Sequence, residues 1–140
     1  MKWTVTVSGQ PPTLNHSYRN ACRTSAAGNV YVGRAKESAV VAYQTGAVMQ
    51  VRTAKPSHWR HGGGWIRISY SFRLSRAVDC DNAMKALNDA VALAIGVDDK
   101  FFLPCVTWKT IDKHERSPGV DLTIEDLSGL PSPLLTPFPR

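Results

Sequence analysis

Between residues 65 and 74 the chain alternates without interruption. Ile66, Ile68, Tyr70, Phe72 and Leu74 fall on one side, and Arg67, Ser69, Ser71 and Arg73 on the other. Successive side chains of a strand point to opposite faces, so this run predicts a strand with one apolar and one wet face. Such a strand needs further strands beside it and a layer over its apolar side. Residues 2–8 repeat the pattern, with Trp3, Val5 and Val7 set against Lys2, Thr4 and Thr6. Gly9-Gln10-Pro11-Pro12 ends that strand, because proline lacks the amide donor a ladder requires. Segments 104–112 and 120–125 read as two more strands, with a turn at Pro118-Gly119.

Two segments follow the helical period instead. Val40, Tyr43, Ala47, Val48 and Val51 predict a helix from about Arg34 to Arg52. Met84, Leu87, Val91 and Ile95 predict a second over Asn82 to Ile95, with Gly96 as its C-terminal stop. Residues 13–33, rich in Asn, Ser, Arg and Gly, read as an ordered but irregular loop, and Gly62-Gly63-Gly64 as a flexible connection. The order is β-α-β-α-β-β. It predicts a mixed α/β (α+β) fold: one small domain over residues 1–127, with a mixed sheet of about four strands. The two main helices pack on one face and leave the other to solvent or a ligand. Residues 128–140 form a Pro-rich tail, read as extended or disordered.

At 140 residues and 43% hydrophobic, the chain can build a core without disulfides or a structural metal. Cys22, Cys80 and Cys105 are scattered and form no CxxC pair, which argues against a zinc knuckle or disulfide framework and for a reducing cytoplasm. The opening residues are too polar for a signal peptide, and no apolar run is long enough to span a bilayer. Charge is unevenly spread. Residues 1–78 carry 11 Lys and Arg against a single acid, Glu37, whereas the remainder carries 6 against 10 acids. Near absence of acids over so long a stretch favours a polyanionic ligand over a merely solubilising surface.

The acids begin abruptly at Asp79-Cys80-Asp81-Asn82, where the long strand meets the second helix, and return as Asp98-Asp99 just past it. Carboxylates are hard oxygen ligands suited to Mg²⁺ or Mn²⁺. Two residues apart in extended chain, Asp79 and Asp81 would project to one side and share a cation, eased by the positive end of the helix. Lys85 lies one turn after Asp81, and Asp89 one turn after Lys85. Asp98 and Asp99 join the site only if the chain folds back, along a strand beside the one that ends at Asp79. The plain structural alternative makes these residues helix caps, turn residues and a surface ion-pair ladder.

This combination resembles the RusA family of Holliday junction resolvases, small dimeric endonucleases. The resemblance runs over most of residues 1–125. It rests on Pro11-Pro12-Thr13-Leu14-Asn15-His16-Ser17-Tyr18, on Asp79-Cys80-Asp81-Asn82 with Lys85 and Asp89, and on Gly96 and Asp98-Asp99. It implies a metal held by Asp79, Asp81 and Asp99, with Asp98 as the alternate because the segment before the pair is about one residue short. It implies Lys85 as the essential lysine, Mg²⁺ with Mn²⁺ as a substitute, and a homodimer whose paired sites cut four-way junctions symmetrically. The expected function is therefore a metal-dependent junction-resolving DNA endonuclease. A nuclease for forks, flaps or other branched DNA, and a non-catalytic DNA-binding protein, remain open. Arg19, Arg23, Arg34, Arg73 and Arg76 are candidate DNA contacts. His58-Trp59-Arg60-His61 reads either as a DNA-contacting loop or as a solvated loop around a packed tryptophan.

Overall fold

The computed structural model describes residues 1–12, 18–36 and 38–130, without the side chains of 18–20 and 34–36. The expected tail beyond residue 130 and residues 13–17 of the Pro-Pro segment lie outside the described residues. The chain runs β1 (Lys2–Ser8), β2 (Tyr18–Thr24), β3 (Val30–Lys36), α1 (Ser38–Ala54), β4 (Ile66–Leu74), α2 (Cys80–Ile95), a 3₁₀ turn (Asp99–Phe101), β5 (Phe102–Ile111) and β6 (Gly119–Asp126). The main sheet has the order β1-β6-β4-β5. β6 is antiparallel to both β1 and β4, whereas β5 is parallel to β4. This is the expected α+β domain with a mixed four-stranded sheet.

The core is the apolar face that the alternation marked. Ile66, Ile68, Tyr70, Phe72 and Leu74 are buried, with Val120, Leu122 and Ile124 of β6 and Trp3, Val5 and Val7 of β1. α1 covers them with Ala47, Val48 and Val51. α2 contributes Leu87, Val91 and Ile95 among the alanines Ala83, Ala86, Ala90 and Ala94, whose small side chains let its axis approach closely. Gly96 ends α2 at φ 72°, in the left-handed region where glycine carries no Cβ penalty, and its amide returns to the Ala92 carbonyl at 2.9 Å. None of the described helices is long and apolar enough to cross a membrane.

Three expectations change. Residues 13–33 are not irregular throughout, because β2 and β3 form an antiparallel hairpin and a separate two-stranded sheet. None of the described side chains on that hairpin is buried, and Val30 and Val32 are each 71% exposed, so those residues show no alternation for a sequence reading to find. α1 begins at Ser38 rather than near Arg34, because residues up to Lys36 belong to β3. Pro118-Gly119 does not close a hairpin between β5 and β6, since β4 stands between those strands. Their connection crosses the end of β4, where the Asp112 amide donates to the Leu74 carbonyl at 2.9 Å. His114 therefore lies in a crossing loop.

Candidate functional site

β4 ends at Leu74, and the chain reaches α2 through a short segment braced by Gln10. The Gln10 side chain accepts from the Ser75 amide at 2.9 Å and donates to the Arg76 carbonyl at 3.2 Å. Gln10, with buried Pro11 next to it, thus sets the approach to Asp79. Asp79 is the N-cap of α2, with extended backbone at φ −66° and ψ 117°. Its Oδ1 accepts from the Asp81 amide at 3.1 Å, and Asn82 Nδ2 reaches its Oδ2 at 3.5 Å. Because the helix starts at Cys80, the cap rather than the pleat of a strand ties the Asp79 carboxylate to the backbone of Asp81. Both residues are exposed. Each carboxylate offers about four lone-pair positions, so the cap leaves acceptors on Asp79 free and all those of Asp81. That donor set fits a hard divalent cation at two of its coordination positions.

Asp81, Lys85 and Asp89 lie along one exposed stripe of α2. Asp81 and Lys85 form no ion pair with each other, so the surface ladder of the structural alternative is not closed there.

The Asp98-Asp99 pair sits elsewhere. Asp98 caps the 3₁₀ turn, accepting from the Lys100 amide at 3.0 Å and pairing with Lys100 Nζ at 3.3 Å. The amide bond first, then the ammonium, holds the Asp98 carboxyl below the usual carboxylate range. Asp99 is exposed and lies outside that lysine pairing. β5 leads away from the pair beside β4, as expected, but parallel to it, with Phe102 opposite Ile66 and Ile111 opposite Leu74. The pair consequently lies at the start of β4 and Asp79 beyond its end. The 16 residues of α2 separate them by about 24 Å at 1.5 Å per residue. The chain does not fold back as the sequence suggested, and no three metal-ligating side chains converge among the described residues.

Of the arginines singled out, Arg76 is exposed beside the Asp79 approach. Arg73 faces the polar side of the sheet and pairs with Asp121 at 3.4 Å. Arg23 stands opposite Tyr31 on the hairpin with its side chain near Gly33, where an added Cβ would come within 2.9 Å of its Cδ. The side chains of Arg19 and Arg34 fall outside the described residues. The 58–61 segment is tied down: Trp59 is buried edge-on to Trp3 with ring centroids 6.4 Å apart, and His61 Nε2 bonds the Gly64 carbonyl at 2.7 Å. Trp59 is thus the packed tryptophan of the second reading, while His58 and Arg60 stay exposed.

Sequence reasoning missed Gln10 and Lys109. Lys109 Nζ donates to the Val78 carbonyl, one residue before Asp79, at 3.1 Å. Only the pairing of β5 with β4 brings that lysine to the site. No protein-family model and no curated protein matches this chain.

Proposed function

We propose that this protein is a Mg²⁺-dependent, structure-selective DNA endonuclease of the RusA kind, resolving four-way junctions as a homodimer, with Mn²⁺ as substitute metal. One observation carries the reading. Two exposed carboxylates with free acceptors stand at the positive end of α2, and a lysine without an ion pair among the described residues stands one turn on. A divalent cation bound by such carboxylates would orient and activate a water and offset charge on a phosphodiester. The α2 N-terminus favours anionic groups, and Lys85 supplies a positive charge for the phosphate oxygens. Arg19, Arg23, Arg34, Arg73 and Arg76 are the proposed backbone contacts, with Arg73 partly neutralised by Asp121.

Asp99 is the proposed third ligand, because Lys100 already engages Asp98. A separation of about 24 Å keeps it from Asp79 and Asp81 of its own chain. A second copy removes the difficulty. β5 is an edge strand exposed from Leu103 to Ile111, with Leu103, Val106, Trp108 and Ile111 open to solvent. Antiparallel pairing of two such edges would set the start of one β5, with its Asp99, beside the end of the other, near Asp79.

The test is cleavage of a synthetic four-way junction beside linear duplex, with Mg²⁺, Mn²⁺ or EDTA. Metal-dependent paired nicking of the junction is expected, and the same comparison on forks and flaps separates a resolvase from a general branched-DNA nuclease. The non-catalytic alternative draws on Asp79 and Asp98 both serving as caps. Tight junction binding with no nicking in either metal, and no Mn²⁺ binding, would decide for it.

A further inference from the structure

We infer that Lys109 is a positioning residue for the Asp79–Asp81 pair, turned toward it by a β-bulge in β5; the inference rests on the metal-site reading above. The residues of β5 opposite the buried row Ile66, Ile68 and Tyr70 are Phe102, Pro104 and Val106. Strict alternation would place Trp108 next in that row and turn Lys109 to the polar face. The register instead shifts between Tyr70 and Ser71: Thr107 is the extra residue, Trp108 stands opposite Ser71, and Lys109 stands opposite buried Phe72. The Thr107 hydroxyl donates to the Tyr70 carbonyl at 3.1 Å within the bulge. A bulge exchanges the faces of every residue beyond it and re-aims side chains. Here it turns Trp108, 64% exposed, to the polar face and Lys109 to the side on which α2 packs.

Lys109 is the one charge in the row Phe102, Pro104, Val106, Lys109, Ile111. Lys109 is itself exposed at the sheet edge, so its bond to the protein, rather than any cost of burial, fixes the ammonium. Its bond is to the Val78 carbonyl. The next residue, Asp79, gives its side chain to the Asp81 amide and its carbonyl to the Ala83 amide at 3.0 Å. Lys109 therefore holds the peptide that sets the N-cap, and the N-cap ties the Asp79 carboxylate to the backbone that carries Asp81. Outer partners of this kind typically change metal affinity about 10–100-fold.

Three full-length variants test it. Lys109→Met keeps the aliphatic stem and loses the donor; Lys109→Gln keeps a neutral donor; Lys109→Arg keeps donor and charge. Mn²⁺ binding is read from the spin-resonance signal of the free ion, and the cap from hydrogen exchange of the Asp81 and Ala83 amides without metal. Lys109→Met is expected to weaken Mn²⁺ binding about 10–100-fold and to speed exchange at those two amides, leaving Val91 and Ile95 unchanged. Lys109→Gln and Lys109→Arg are expected to restore most of both. Wild-type Mn²⁺ affinity and exchange in Lys109→Met would overturn the inference, as would loss in Lys109→Gln equal to that in Lys109→Met. A uniform rise in exchange along α2 would also overturn it, since that marks a purely structural role. If the wild-type protein binds no Mn²⁺, the nuclease reading fails, while the exchange measurement still decides the positioning role.

Discussion

Asp79 has two roles that substitution can separate. Its side chain caps α2 through the Asp81 amide, and its remaining lone pairs are the proposed metal ligands. Asparagine caps a helix about as well as aspartate, whereas alanine does not, and the loss of a cap costs about 0.5–2 kcal/mol. Removing the negative charge from the helix N-terminus costs a further ~0.3–1 kcal/mol at an exposed position. Asp79→Asn should therefore lose only the second contribution, and Asp79→Ala both. The two variants should differ by about 1 kcal/mol, a few degrees in Tm for a domain of this size. Activity should divide differently. Both variants lose the carboxylate, so both should cut a four-way junction more than about 100-fold slower, beyond the effect of losing an outer partner. The assays are thermal unfolding without metal and single-turnover junction cleavage in Mg²⁺. Asp79→Asn cutting within a few fold of wild type would refute the ligand assignment. Equal stability of the two variants would refute the cap argument.

If each site draws Asp79 and Asp81 from one chain and Asp99 from the other, Asp79→Asn and Asp99→Asn chains mixed as heterodimers should regain one intact site. They would then nick a junction that neither homodimer cuts; no recovery at equal stability and full heterodimer formation would point to a site within one chain. Asp126 is caught between burial, which pushes its pKa up, and hydrogen bonds from Ser128 and the Gly62 amide, which prevail and hold it below the ordinary carboxylate value. Its stabilisation is therefore complete above the ordinary value and lost as pH falls through the lowered one, so Asp126→Asn should lower Tm at pH 7, with the gap to wild type closing below about pH 4. Gly119 packs against β1 so tightly that an added Cβ would lie 2.9 Å from the Val7 carbonyl oxygen. Gly119→Ala should lose about 1–3 kcal/mol in urea unfolding.

Local pattern decided much of this protein. The alternation at Ile66–Leu74 and Lys2–Ser8 marked the strands and the face they bury, and Gly96 marked the end of α2. The junction at Asp79 was legible because strand period, helix period and acids change within a few residues. Other features were not legible. None of the described side chains of the β2–β3 hairpin is buried, so its polarity looked like that of a loop. The direction of β5 leaves no local mark, because parallel and antiparallel strands can carry the same residues. Yet that direction places Asp98 and Asp99 about 24 Å from Asp79, and the bulge at Thr107 turns Lys109 toward it. Periodicity records whether a side chain meets core or water, which the sequence by itself determines. Which strands become neighbours, in which direction and register, depends on packing between distant segments, and only the tertiary structure decided it.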